Sequence, residues 1–159
     1  MKLQYLWLWF SLITVVAWGV YGLLLHAGQL GMNDPLNGRY KAFLFVGIAY
    51  LITAVLAPAI VLKTNGASWS FPAKGLWWSL FAGIAGAIGA FCVLLAFGAK
   101  GSPAVVMSIV FAGAPVVNAV VALTLHPPAG GWGQLRWQFM AGIVLAAAGG
   151  FLVTLYKPK

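Results

Sequence analysis

Five long runs of apolar residues, separated by short polar breaks, dominate the chain. Because a helix rises about 1.5 Å per residue, roughly 20 apolar residues cross a bilayer core of about 30 Å, and each run predicts a transmembrane helix. The runs lack the alternation over about ten residues that is typical of strands in membrane β-barrels. The predicted helices cover residues 3–25, 42–62, 76–99, 103–125 and 139–156.

The polar breaks contain residues that end helices and form turns. Residues 33–38 read Asn-Asp-Pro-Leu-Asn-Gly, and residues 63–66 read Lys-Thr-Asn-Gly. Between the third and fourth runs, we expect Gly101 to close one helix and Ser102 with Pro103 to begin the next. The pattern therefore predicts an all-α integral membrane protein with five transmembrane helices in a single domain, residues 1–159.

Composition and charge agree with a membrane location. Hydrophobic residues make up 63% of the chain and charged residues 6%, against roughly 45–50% and 25% in soluble domains. Nine Lys and Arg residues and the single acid Asp34 give a formal net charge of +8. Most of the cations lie singly at the ends of apolar runs, where long basic side chains reach lipid headgroups. This placement favours membrane lipid over nucleic acid as a partner.

The basic residues say little about orientation in the membrane. If all five runs cross it, one side carries Lys2, Lys63, Lys74 and Arg136, and the other carries Arg39, Lys41, Lys100, Lys157 and Lys159. Such an even split gives the positive-inside rule almost nothing to act on, so either a partner or a weak bias sets the orientation, or the chain inserts both ways. The same count places seven tryptophans on the N-terminal side, as an aromatic belt: Trp7, Trp9, Trp69, Trp77, Trp78, Trp132 and Trp137.

The chain has few residues suited to catalysis. Acid–base, nucleophilic and metal chemistry draw on carboxylates, histidines and cysteines, and the sequence offers one Asp, two His and one Cys. We expect His26 and His126 to lie at helix ends, outside the apolar core. The inventory argues against an enzyme, and we predict no catalytic residue, metal site or cofactor.

Two polar stripes lie within the predicted helices at helical spacing. The first contains Ser11, Thr14, Trp18, Tyr21 and Leu25, and the second Ser108, Phe111, Pro115, Asn118 and Ala122. They are either ordinary helix contacts, with hydroxyls bonded to their own helix, or a substrate path that faces the protein interior. On the second interpretation, Trp18 and Tyr21 stack on or gate the substrate while Ser108 and Asn118 hydrogen-bond it. The residues predicted to bind substrate are Ser11, Thr14, Trp18, Tyr21, Ser108, Pro115 and Asn118.

Small residues repeat every four positions in the third and fifth helices. The ridges are Ala82, Gly86 and Ala90 in the third, and Gly142, Ala146 and Gly150 in the fifth. Small side chains let two helices approach closely in a membrane. The ridges favour close helix packing over a pore lining, and one of them is a candidate homodimer seam.

Several motifs in order along the chain resemble the drug/metabolite transporter superfamily, as a single EamA-like five-helix repeat. They are Trp18-Gly19, Arg39, Gly83/Gly86/Gly89, Gly101-Ser102-Pro103-Ala104, Pro115, and Gly142 with Gly149. Members of this superfamily commonly carry two inverted repeats, so the resemblance implies two copies, for which antiparallel insertion is one arrangement. The chain departs from the family at 126–128, where His-Pro-Pro replaces a usual acidic residue. It also lacks the glutamate of the first helix that smaller multidrug exporters use to couple protons.

These expectations combine into one function and one alternative. The resemblance implies a half-size transporter in a bacterial inner membrane, which moves a small neutral, zwitterionic or anionic metabolite as a homodimer. The alternative is a non-transporting integral subunit of a larger membrane complex, for which a chain with so few reactive groups also serves.

Overall fold

The computed structural model describes residues 5–156 and consists of helices joined by short loops. The helices are α1 (Leu6–Gly31), α2 (Gly38–Tyr50), α3 (Ala57–Thr64), α4 (Ala73–Gly98), α5 (Pro103–Leu125) and α6 (Trp137–Leu155). A π-helical segment, Leu51–Leu56, joins α2 to α3, and a single 3₁₀ turn, Trp132–Gln134, precedes α6. The predictions made for Lys2, Leu3, Lys157 and Lys159 concern positions outside the described residues.

Five segments of the described chain are long and apolar enough to cross a membrane: α1, the continuous span Gly38–Thr64, α4, α5 and α6. The predicted all-α membrane fold is confirmed. α5 has the predicted bounds, whereas α1 continues past its predicted end at Leu25 to Gly31. His26 and Gln29, which follow the predicted end, are half-buried parts of the helix, and His26 packs against Phe97 of α4. α1 ends at Gly31, two residues before Asn33, which adopts a left-handed conformation with a φ of 49°.

Pro58 shapes the second span. A proline in a helix has no N–H to donate, and its ring collides with the carbonyl four residues earlier, here that of Ala54. The helix adapts by widening just before the proline, where the N–H of Ala57 donates to the carbonyl of Ile52, five residues back. α3 then starts with Pro58 in its first turn, where the missing donor costs little.

The turn between α4 and α5 differs from prediction in one residue. Lys100, and not Gly101, adopts the left-handed conformation, with a φ of 69°. α4 ends at Gly98 and is capped by Ala99, so the left-handed position after the cap falls on Lys100, whose N–H donates to the Phe97 carbonyl at 3.1 Å. Pro103 begins α5 as expected, and Ser102 precedes it in an extended conformation.

The chain divides into two compact units, the first ending at Lys100 and the second starting at Gly101. In the first unit α1, α2 and α4 pack against one another. Their buried apolar side chains are Leu25, Ala42, Ala90, Val93, Leu94 and Phe97. All of these lie in residues 21–50 and 90–98, which we call the packed end; residues 5–20 and 51–89, the open end, contain no buried residue.

The second unit is a hairpin of α5 and α6. Met107 and Ala119 of α5 are buried, and Gly150 is the buried residue of α6. A side chain at Gly150 would overlap the methyl group of Ala112 and lie 3.2 Å from the Ser108 carbonyl oxygen. One member of the predicted α6 ridge therefore serves close packing inside the unit.

Candidate functional site

A cavity of about 440 Å³ lies between α1 and α2 in the first unit. It runs from the packed end to the start of the π-helical segment, so the two helices and the widened turn together set its shape. The lining residues are Tyr21, Leu24, Leu25, Gly28, Met32, Ala42, Phe45, Val46, Ala49, Tyr50 and Thr53. None of these eleven residues is charged.

Tyr21 supplies a polar atom that the protein itself does not satisfy. The hydroxyl oxygen of Tyr21 is buried and has no hydrogen-bond partner among the described residues. A buried hydroxyl without a partner costs free energy, and a ligand that hydrogen-bonds to it recovers that cost. The Tyr21 ring also contacts Trp18, with the ring centroids 5.5 Å apart.

Tyr50 and Thr53 give the cavity further polar groups, from α2 and the π-helical segment. Thr53 uses its hydroxyl within the span, donating to the Ala49 carbonyl at 2.8 Å. Tyr50 is not among the residues predicted from the sequence. The spacing of Val46, Tyr50 and Thr53 places them on one helix face, which is the signal that could have identified it.

Two more unsatisfied polar atoms lie further along α1. The His26 Nδ1 and the Gln29 Oε1 are buried without hydrogen-bond partners among the described residues. The His26 ring meets the Phe97 ring of α4 edge-on, at 5.3 Å between centroids. The expectation that His26 lies outside the apolar core is wrong, because α1 continues past it and packs this side chain against α4. His126 is exposed at the end of α5.

The three serine and threonine hydroxyls predicted to bind substrate form hydrogen bonds within their own helices. Ser11 donates to the Trp7 carbonyl at 2.8 Å and Thr14 to the Phe10 carbonyl at 2.9 Å. Ser108 donates to the Ala104 carbonyl at 2.6 Å. This is the alternative arrangement considered for the stripes, in which the hydroxyls satisfy themselves within the helix.

The other predicted site residues differ in exposure. Trp18, Pro115 and Asn118 are exposed, and the Asn118 amide forms no side-chain hydrogen bond among the described residues. Tyr21 is the predicted residue that lines the α1–α2 cavity. In the second unit, Ser108, Pro115 and Asn118 lie outside the small cavity of about 290 Å³ between α5 and α6.

An ion pair fixes the turn between α1 and α2 at the packed end. The Lys41 ammonium donates to Asp34 Oδ2 at 2.7 Å, and the backbone N–H groups of Leu36 and Asn37 donate to Oδ1. The hydrogen bond from Lys41, followed by that from Asn37, lowers the pKa of Asp34 from 3.8 to about 2. Asp34 is therefore ionised at neutral pH.

Comparisons with known proteins bear on the family prediction. No protein-family model, curated protein or solved structure matches the chain. The likeness to an EamA-like repeat thus rests on the motifs alone. No group of three or more His, Cys, Asp or Glu side chains within residues 5–156 is arranged to hold a metal ion.

Proposed function

We propose that the chain is a half-size transporter of a small metabolite and acts as a homodimer in a bacterial inner membrane. The observation that carries the proposal is the α1–α2 cavity, whose uncharged lining includes Tyr21, with its buried and unpartnered hydroxyl, together with Tyr50 and Thr53. A polar group without a partner is costly inside a membrane span, so a cavity that offers it a hydrogen-bonding ligand is a candidate substrate site. The motif resemblance supports the same function.

The lining of the cavity narrows the class of substrate. The sequence interpretation allowed neutral, zwitterionic or anionic metabolites, but none of the lining residues carries a charge that would balance an ionised group. An unpaired charge in a low-dielectric site is far more costly than a neutral hydrogen-bonding group. We therefore place a neutral molecule with at least one hydroxyl or carbonyl first, with Tyr21 hydrogen-bonding it and Trp18 fixing the Tyr21 ring.

An export assay tests this function. Proteoliposomes of the full chain are loaded with a defined mixture of neutral, zwitterionic and anionic metabolites, and the loss of each is followed by mass spectrometry against protein-free vesicles. We expect faster loss of a neutral component, and a several-fold slower loss with Tyr21→Phe, because the phenol hydroxyl is removed while the ring remains. Tyr156→Phe is the matched control, since Tyr156 is 76% exposed in the last turn of the second unit.

The outcomes separate the transporter from its rival. If no metabolite leaves the proteoliposomes faster than it leaves the protein-free vesicles, transport by the chain alone is rejected. The rival, a non-transporting subunit, is favoured by the exposed apolar side chains of the open end, where a partner protein has room to pack. In that case the chain purifies in mild detergent with a second membrane protein at a fixed ratio.

A further inference from the structure

A second groove, distinct from the α1–α2 cavity, runs along the other face of α2. It has a volume of about 490 Å³ and lies between α2 and Phe91 of α4. At one end it is lined by Asn37 and Lys41, and further into the span by Phe43, Leu44 and Gly47. The groove is thus polar and cationic at the end of the helix and apolar within the span.

Positive charge is concentrated at the polar end. Lys41 lines the groove, and its ammonium uses one of its three donors on Asp34 while about half of the side chain stays exposed. Arg39 is next to the groove and not in its lining: its guanidinium lies 5.6 Å from the ring centre of Tyr40, which lines the groove, and packs beside Gly98 near the end of α4. Arg39 forms no side-chain hydrogen bond among the described residues. The two cations outnumber the one acid, so this end of the groove favours an anion.

The apolar part has the dimensions and surface of an acyl-chain slot. From Lys41 to Gly47 the helix rises about 9 Å, so the slot follows the first part of a lipid tail below its headgroup. Phe91 packs against Phe43 with ring centroids 5.2 Å apart and against Tyr40 at 6.2 Å, which makes a rigid aromatic wall. Gly47, which also lines the groove, leaves open space: apart from the nearby backbone of its own helix, no atom lies within 4 Å of where a Cβ would stand.

We propose that this groove binds an anionic phospholipid, with one acyl chain beside Gly47 and Phe91 and the headgroup phosphate at Lys41 and Arg39. Charge complementarity selects this occupant over a partner helix. A helix seated in the groove would bury the exposed Lys41 ammonium, whereas a phospholipid leaves the ammonium among the headgroups, where basic side chains contact phosphates. The site is independent of the transport function.

Native mass spectrometry of the full chain in mild detergent, titrated with phosphatidylglycerol or phosphatidylcholine, tests the site. We expect tighter binding of phosphatidylglycerol. Lys41→Gln should weaken it about fivefold, the factor that corresponds to about 1 kcal/mol for one basic residue at an anionic surface. Lys74→Gln, which removes an exposed cation in the first turn of α4 outside this groove, should leave the binding unchanged.

A second variant keeps the ion pair intact and fills the slot instead. Gly47→Leu should weaken phosphatidylglycerol binding several-fold, because the new side chain occupies the open space. Gly19→Leu, at a glycine with equally open surroundings that does not line the groove, should not. Equal binding of the two lipids, equal weakening by Lys74→Gln, or unchanged binding in Gly47→Leu would each overturn the proposal. Displacement of the lipid by excess glycerol phosphate would do so too, because it would mean that the headgroup alone is held.

Discussion

The two ends of the first unit belong to the same three membrane spans, α1, Gly38–Thr64 and α4, but pack very differently. At the packed end Leu94 is fully buried and Ala90 is 2% exposed, whereas Leu80, on the same helix, is 48% exposed at the open end. There the π-helical segment and α4 line a groove of about 1020 Å³, and α3 packs against neither α1 nor α4 within the described residues.

The difference shows what holds helices together in a bilayer. Lipid tails are as apolar as leucine, so apolar character alone does not bring two helices into contact. The packed end has specific devices, namely the Asp34–Lys41 ion pair and close approach at Gly38, where a Cβ would lie 3.0 Å from the Gln29 carbonyl oxygen. The open end has exposed aromatic and aliphatic side chains without such devices.

The largest effect is expected from a cavity at the packed end. Leu94→Ala should lower the free energy of unfolding by about 2 kcal/mol, at the low end for buried leucines, because in lipid packing is lost but little transfer free energy. Leu80→Ala, on the same helix, should change it by less than about 0.5 kcal/mol. Unfolding in mixed micelles with increasing dodecyl sulfate measures both. Equal losses would mean that the open end is packed as tightly as the other.

The next effect concerns what covers the open end. Ala82 and Gly86 of the α4 ridge are exposed, whereas Ala90 is buried within the unit. If the proposed homodimer uses this ridge, Gly86→Leu should raise the dimer dissociation constant about tenfold, or about 1.4 kcal/mol, without weakening the fold. Cross-linking against detergent dilution measures the constant, with Gly19→Leu as control. An unchanged constant would leave lipid as the cover of this surface.

The smallest effect concerns the ion pair at the packed end. Because folding lowers the pKa of Asp34 from 3.8 to about 2, its contribution to stability is complete above about pH 4 and is lost as the pH falls through 2. Thermal unfolding in detergent should therefore shift downward between pH 4 and pH 2. Asp34→Asn, which removes the single acidic side chain of the chain, should flatten that change. If the unfolding temperature of the variant still falls between pH 4 and pH 2, another titrating group causes the pH dependence.

The helices were predictable from the sequence because membrane spans are decided by length and apolar content, which need no knowledge of neighbours. The ends of the helices were less predictable. Whether α1 stops at Leu25 or continues through His26 depends on α4 covering that histidine, which is a tertiary contact. Likewise, the left-handed residue of the α4–α5 turn depends on where α4 ends, and glycine at 101 suggested a position one residue too late.

The candidate site shows the same limit. Tyr21 was predicted from its spacing and lines the α1–α2 cavity, but Tyr50, from α2, also lines it and was not predicted. Hydroxyls such as Ser11 and Ser108 look alike in sequence whether they face a substrate or their own carbonyls. Only the geometry of the turn before them, with acceptors at 2.8 Å and 2.6 Å, separates these cases.

The π-helical segment changes the face of the second span on which each later residue lies. One such widened turn holds about one residue more than an α-helical turn, so residues after Leu56 are rotated by about 100° from the positions that a regular helical wheel assigns them. Faces drawn on a wheel from Gly38 to Thr64 are therefore wrong for α3. Removal of a single residue within Leu51–Leu56 would restore the regular wheel, but it would also return the ring of Pro58 to a collision with the carbonyl four residues earlier.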